Sequence, residues 1–296
     1  MPLESIDCLM QRCQEGKYAV GYFESWNLES LQGTLDAAEQ TRSPIIIGFN
    51  GEFLSLENRL AAERLALYAA LGKAAAENAK VPCGLIFNEC PVEQWVMKAI
   101  DAGFNLVVPV DQRMPFDKYL RWTQRVVQHA HQRHVAVEAE LGELPCGASG
   151  KVEGDDPHTD PALAEKFVRE TGVDLLAVSV GNVHIHVNGE QDLDLDHLVA
   201  LRVRMKTPLV LHGGTGITSR SLKEAVRLGV AKVNYGTYLK QRYLRTVQIA
   251  LSQQPSNPHE LLGMGGKLDV MVAGRLAVRD AVLERIESLG CCGMAW

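Results

Sequence analysis

Short apolar runs of strand length alternate with longer amphipathic stretches along most of this chain. The runs cover 18–23, 44–49, 83–88, 106–110, 135–141, 175–181, 208–213 and 232–237. Between them, 28–40, 54–78, 92–102, 116–133, 161–171, 195–205 and 219–227 carry apolar residues at helical spacing. Near-continuous apolar strands belong to parallel sheets covered by helices, because both sheet faces must then be buried. Eight such units predict an α/β fold, a (β/α)8 TIM barrel. A doubly wound sheet is the second reading. It fits less well, because no Gly-x-Gly-x-x-Gly follows the first run and polar residues close many of the runs. Residues 1–296 read as a single TIM-barrel domain with additional C-terminal helices: two or three follow Thr237, with a break at Pro255-Ser256-Asn257-Pro258. The stretch 147–157, rich in Gly, Ser and Asp, reads as a mobile loop.

Composition narrows the function classes. A chain of 296 residues, 46% hydrophobic, is long enough for one sizeable core. The net charge of −6 is spread without a basic stripe, which argues against nucleic acid and against an anionic membrane surface. No apolar run approaches the ~20 residues a membrane span needs. Met1-Pro2-Leu3-Glu4-Ser5-Ile6-Asp7 lacks a charged-then-apolar signal pattern. Seven scattered cysteines form no disulfide framework, so a reducing, cytoplasmic location is expected.

In a barrel the chemistry collects at the C-terminal strand ends. Those ends bring Glu24, Ser25 and Asn27; Asn50 and Glu52; Asn88, Glu89 and Cys90; Asp111 and Gln112; Glu138, Glu140 and Glu143; Asn182, His184 and His186; His212; and Asn234 and Thr237. Glu89, His184 and His212 make a candidate divalent-metal set of two imidazoles and a carboxylate. A lone histidine is more often a hydrogen-bonded core or rim residue, but two at neighbouring strand tips favour ligation. His186, His129, His131 and His134 are assigned no role. Glu138 and Glu140 share strand parity, so both should point into the barrel; Glu140, nearer the tip, is the better site candidate and Glu138 the structural one. Gly213-Gly214-Thr215-Gly216 opens toward a helix and, with Asn234 and Thr237, is a candidate anion or phosphate site.

The chain resembles the class II, zinc-dependent ketose-bisphosphate aldolases over nearly its whole length. Long segments carry the resemblance, among them Val96-Met97-Lys98-Ala99-Ile100-Asp101-Ala102-Gly103-Phe104, Val137-Glu138-Ala139-Glu140-Leu141-Gly142 and Leu209-Val210-Leu211-His212-Gly213-Gly214-Thr215-Gly216. By position, the resemblance implies that His184 and His212 are zinc histidines and that Glu140 stands near the metal as a further candidate ligand. It implies that Gly213, Thr215, Asn234 and Thr237 hold the substrate phosphate. Members of the family are commonly homodimers or homotetramers.

The third strand departs from the family stretch His-Leu-Asp-His-Gly, reading Ile86-Phe87-Asn88-Glu89-Cys90. Asn88 stands where the family has its acid/base aspartate, and Glu89 where it has a zinc histidine. Ile185 replaces a glycine that approaches phosphate, and Val110, followed by Asp111, stands in place of a strand-four aspartate. An amide cannot take up a proton near neutral pH but can hold a hydroxyl. A carboxylate can replace imidazole on zinc, and it suits manganese or iron as well. The expectation is a metal-dependent aldolase-like lyase acting on a keto-sugar, sugar phosphate or related hydroxy-ketone, and a poor ketose-bisphosphate aldolase. Its proton acceptor would be relocated to a loop carboxylate, with Glu143 the candidate. An enediolate-type isomerase or epimerase and a non-catalytic sugar-phosphate binder are the alternatives.

Overall fold

In the computed structural model, residues 3–111, 113–142, 158–182, 190–253, 255 and 257–296 are described. Eight strands close into a barrel: β1 (Val20–Glu24), β2 (Ile45–Asn50), β3 (Cys83–Cys90), β4 (Leu106–Pro109), β5 (Ala136–Leu141), β6 (Leu175–Val178), β7 (Leu209–Leu211) and β8 (Val230–Tyr235). Neighbours in sequence pair in parallel, and β8 returns to β1 through Val20↔Lys232 to Phe23↔Tyr235. Every strand residue is buried. That is the state a parallel sheet requires when helices cover its outside and side chains fill its inside.

The helices fall close to the expected positions. They are α2 (Leu28–Thr41), α3 (Gly51–Ser55), α4 (Leu65–Asn78), α5 (Glu93–Ala102), α6 (Phe116–His131), α7 (Pro161–Thr171), α8 (Leu195–Arg204) and α9 (Ser219–Arg227), followed by α10 (Thr237–Leu251), α11 (Pro258–Leu261) and α12 (Val270–Ile286). Local chemistry sets several of the ends. Asn27 and Ser30 form a reciprocal capping box on α2, Asp160 caps α7 ahead of Pro161, and Gly172 ends α7 in the left-handed conformation.

Two helical expectations change. The stretch 54–78 is not one helix, because α3 ends at Ser55 and α4 starts only at Leu65. Between them the Arg59 guanidinium donates to the carbonyl of Phe53 at 2.9 Å, satisfying an end group that α3 leaves open. Leu56 and Leu60 are exposed there, so a continuous helix would have buried no apolar stripe. A further helix, α1 (Ile6–Gly16), precedes the first strand; Ser5 caps it and it buries Ile6, Leu9, Met10 and Cys13. It lies against the start of β3 so closely that a Cβ on Gly84 would meet Ile6 at 2.8 Å. No helix among the described residues is long and apolar enough to cross a membrane.

Candidate functional site

At the C-terminal end of the barrel a cavity of about 290 Å3 is lined by residues from β1, β2, β3, β8, α10 and the turn after β7. Its floor is a ring of buried polar side chains. β3 contributes two adjacent residues, Asn88 and Glu89, both buried and both facing the cavity. On a regular strand consecutive side chains point to opposite faces. Here Glu89 adopts a left-handed backbone, φ 49°, and the β3–β4 register shifts between Phe87 and Cys90. This bulge turns both side chains to the same side, a conformation a non-glycine residue holds only when its surroundings enforce it.

His212 follows β7 directly and is the hub of the ring. Its Nδ1 lies 3.1 Å from Glu89 Oε1 and 3.3 Å from Glu140 Oε2, and its Nε2 lies 2.9 Å from Glu138 Oε1. The backbone is held as well, since Asn182 Nδ2 donates to the His212 carbonyl at 3.0 Å. Glu138 and Glu140 both point inward, as their common parity requires, and reach the two nitrogens of one imidazole. Glu138 also pairs with Lys232 Nζ at 2.8 Å. Lys232 donates to Asn234 Oδ1 at 2.6 Å, Asn234 to Asn88 Oδ1 at 3.4 Å, and Asn50 to Glu89 Oε2 at 2.9 Å. The network therefore ties β2, β3, β5, β7 and β8 together.

The charges are strongly coupled. Burial disfavours the imidazolium of His212, yet the charge of Glu140 and hydrogen bonds with Glu138, Glu140 and Glu89 raise it well above the ordinary histidine value. Burial would raise Glu138, but Lys232 and His212 hold its carboxyl below the usual range. Burial pushes Lys232 down, against the opposing pull of Glu138.

One ligand atom from each of Glu89, Glu140 and His212 lies within 4.8 Å of the other two. Among the described residues, three carboxylates in this buried cluster meet one lysine and one imidazole. Glu140 Oε1 is buried and makes no hydrogen bond. Buried charge and an orphaned carboxylate oxygen are costly unless a cation meets them. A divalent ion fits this donor set: one imidazole nitrogen and two carboxylates, with Nε2 of the imidazole braced by Glu138 as a metal-ligating histidine generally requires.

Other strand-tip residues have structural duties. Asn27 caps α2 and donates to Tyr243 at 3.0 Å, and Asp111 accepts from the Arg113 backbone at 3.1 Å. Gly213 is left-handed, φ 69°, and leads into a 3-10 turn, Gly214–Gly216. Gly213 and Thr215 line the cavity with Asn234 and Thr237. Gly214 is buried under them, where a Cβ would meet Val233 at 2.7 Å and Tyr235 at 2.8 Å. The helix after this turn is not an open anion site. Thr218 caps α9, and Asp192 already faces that end, accepting from Thr218 and, at 2.6 Å, from Arg220. His184, Ile185, His186 and Glu143, and the expected mobile loop 147–157, lie outside the described residues.

A profile described as "Fructose-bisphosphate aldolase class-II" matches residues 4–294. The chain belongs to the class II fructose-bisphosphate aldolase family. It is 32% identical over 305 residues to a "Fructose-bisphosphate aldolase" of Geobacillus stearothermophilus, covering 100% of this chain and 99% of that one. It is 31% identical over 302 residues to a "Probable fructose-bisphosphate aldolase" of Bacillus subtilis, with both chains covered fully. The crystal structure of the YdjI aldolase from Escherichia coli K12 superposes with a TM-score of 0.82 at 30% identity, over 99% of this chain and 100% of that one. Aldolase family membership thus joins the closed barrel and the three-residue candidate metal set.

Sequence reasoning placed Asn50 and Glu24 at strand ends without giving them a role, and missed Lys232 and Lys240 altogether. Parity carried a signal for the first, because Lys232 shares the inward face of β8 with Asn234. A lysine at a buried strand position needs an anion, and Glu138 was the inward carboxylate available. It also undervalued Glu138, which orients the hub imidazole.

Proposed function

We propose that this chain is a metal-dependent carbon–carbon lyase of the aldolase type, acting on a keto-sugar, sugar phosphate or related hydroxy-ketone. The convergence of Glu89, Glu140 and His212 on one point, with Glu140 Oε1 lacking a hydrogen bond, carries the reading. His184 is the fourth residue assigned to the set. Zinc suits the donors, and so do manganese and iron, because two of the three are carboxylates. A divalent ion held here supplies Lewis-acid polarisation of a substrate carbonyl.

The chain's own residues do the rest. Glu138 and the backbone contact from Asn182 fix the plane of His212, so Nδ1 is presented to the site. Asn88, held by Asn234, positions a substrate hydroxyl through its amide and accepts no proton. Proton transfer is therefore assigned to Glu143. Gly213, Gly214, Thr215, Asn234 and Thr237 shape the substrate pocket. The chain works in this reading as one domain, in the cytoplasm, and as a homodimer or homotetramer, for which exposed Leu244 and Leu251, two turns apart on one side of α10, offer apolar contacts.

The test is elemental analysis of protein purified without chelator, joined to mass analysis of products from a panel of ketoses. Stoichiometric divalent metal and two smaller products are expected. Protein that is metal-free and takes up none of zinc, manganese or iron would overturn the metal-dependent reading. Products of unchanged mass would replace the lyase with an isomerase or epimerase.

A further inference from the structure

Across the cavity from the metal-competent cluster lies the start of α10. Its N-cap is Gly236, which has no side chain of its own to cap the helix. Gly236, Thr237 and Lys240 all face the cavity. A helix N-terminus beside a lysine attracts an anion. The chain places one there itself. Glu24, at the end of β1 and only 8% exposed, directs its carboxylate to this point. Glu24 Oε1 accepts from Lys240 Nζ, and Oε2 lies so close to Gly236 that a Cβ there would collide with it. The Lys240 ammonium is also held 4.5 Å from the centre of the Phe53 ring, on the cavity side.

We propose that Glu24 is a specificity-determining residue. Its carboxylate, paired with Lys240 at the start of α10, occupies the place of a substrate anion, so this end of the site takes an uncharged, hydroxyl-bearing group and rejects a phosphate. A carboxylate and a phosphate offer only acceptors to one another and repel, whereas a hydroxyl donates to Glu24. Lys240 is already neutralised and cannot serve both anions. Gly236 is the one residue type that leaves room for the Glu24 carboxylate without displacing it. The inference rests on the proposed function only in taking the ligand to be a hydroxy-ketone.

The experiment titrates dihydroxyacetone, its phosphate ester and inorganic phosphate into the purified protein by calorimetry, with Glu24→Gln and Glu24→Gln/Lys240→Ala beside it. The wild type should bind dihydroxyacetone at least as tightly as the ester and should ignore inorganic phosphate. Glu24→Gln should tighten the ester by about tenfold or more, since one nearby negative charge is removed. The double variant should lose that gain. Tighter binding of the ester than of dihydroxyacetone by the wild type, or an unchanged ratio in Glu24→Gln, would overturn the proposal. If neither ketone binds, the hydroxy-ketone reading fails, and the inorganic phosphate titration decides alone: gained binding in Glu24→Gln supports the role of Glu24, and none refutes it. Glu24→Ala replaces Glu24→Gln if the latter does not fold.

Discussion

Beneath one side of the cavity, Glu89, Glu138 and Glu140 meet, among the described residues, one lysine and one imidazole; on the other side, Glu24 pairs with Lys240. Both walls are largely buried and both are built from strand ends, yet their charge balance differs. Among the described residues the first sets three carboxylates against one lysine and one imidazole, a composition that favours uptake of a cation. Among the described residues the second sets one carboxylate against one ammonium. In the proposed reading, charge balance, rather than the kind of residue present, distinguishes the side that would take up a metal from the side that would sort substrates.

The largest expected effect breaks the first wall outright. His212→Ala removes the one nitrogen ligand of the described set and should abolish metal uptake in elemental analysis. Retained stoichiometric metal would show that the ion sits elsewhere. Next comes repair of both walls toward ketose-bisphosphate cleavage. Asn88→Asp with Glu89→His restores an acid/base carboxylate and an imidazole, and a general base is worth on the order of 10²–10⁴ in rate. Adding Ile185→Gly and Glu24→Gln should raise the gain further, because either wall repaired alone leaves the other obstacle in place. Efficient cleavage of a ketose bisphosphate by the unaltered chain would collapse the comparison.

Smaller effects concern how the first wall is held. Lys232→Met leaves Glu138 with only His212 of its two partners, and breaking a buried pair typically costs about 3–5 kcal/mol. Urea denaturation of the metal-free protein measures this. Glu138→Gln should weaken metal binding by about 10–100-fold, the usual scale for a group that orients a ligating histidine.

The pH dependence follows from His212. Its folded value is raised, so in metal-free protein the imidazolium contributes stability that is fully present below about 6.5 and is lost as pH rises through the higher folded value. Metal must displace that proton. Metal affinity should therefore rise with pH while metal-free stability falls, and loading should release protons to an indicator dye. The smallest change is Gly236→Ala. It meets only the flexible end of Glu24, so stability should move by less than about 1 kcal/mol. Displacing the carboxylate should nonetheless shift phosphate-ester binding in the same direction as Glu24→Gln.

The alternation of apolar runs and amphipathic stretches along the chain marked a parallel sheet covered by helices, because burial on both faces leaves a parallel strand little choice of composition; eight such units, polar strand ends and the absence of a Gly-x-Gly-x-x-Gly after the first run favoured the closed barrel over a doubly wound sheet. Parity placed Glu138 and Glu140 inside, and the motif around His212 marked a strand tip able to hold a metal. Other features required the closed structure. Asn88 and Glu89 face the same cavity only because a bulge and a left-handed residue override the strand's period of two, which no local pattern announces. Lys232 is a functional part of the floor only because β8 closes beside β1 and looks across at β5. Glu24 and Lys240 are 216 residues apart in the chain and meet only on closure. Local periodicity determines which face of an element is buried; which charges then confront one another across the mouth depends on how eight strand ends are brought to one place.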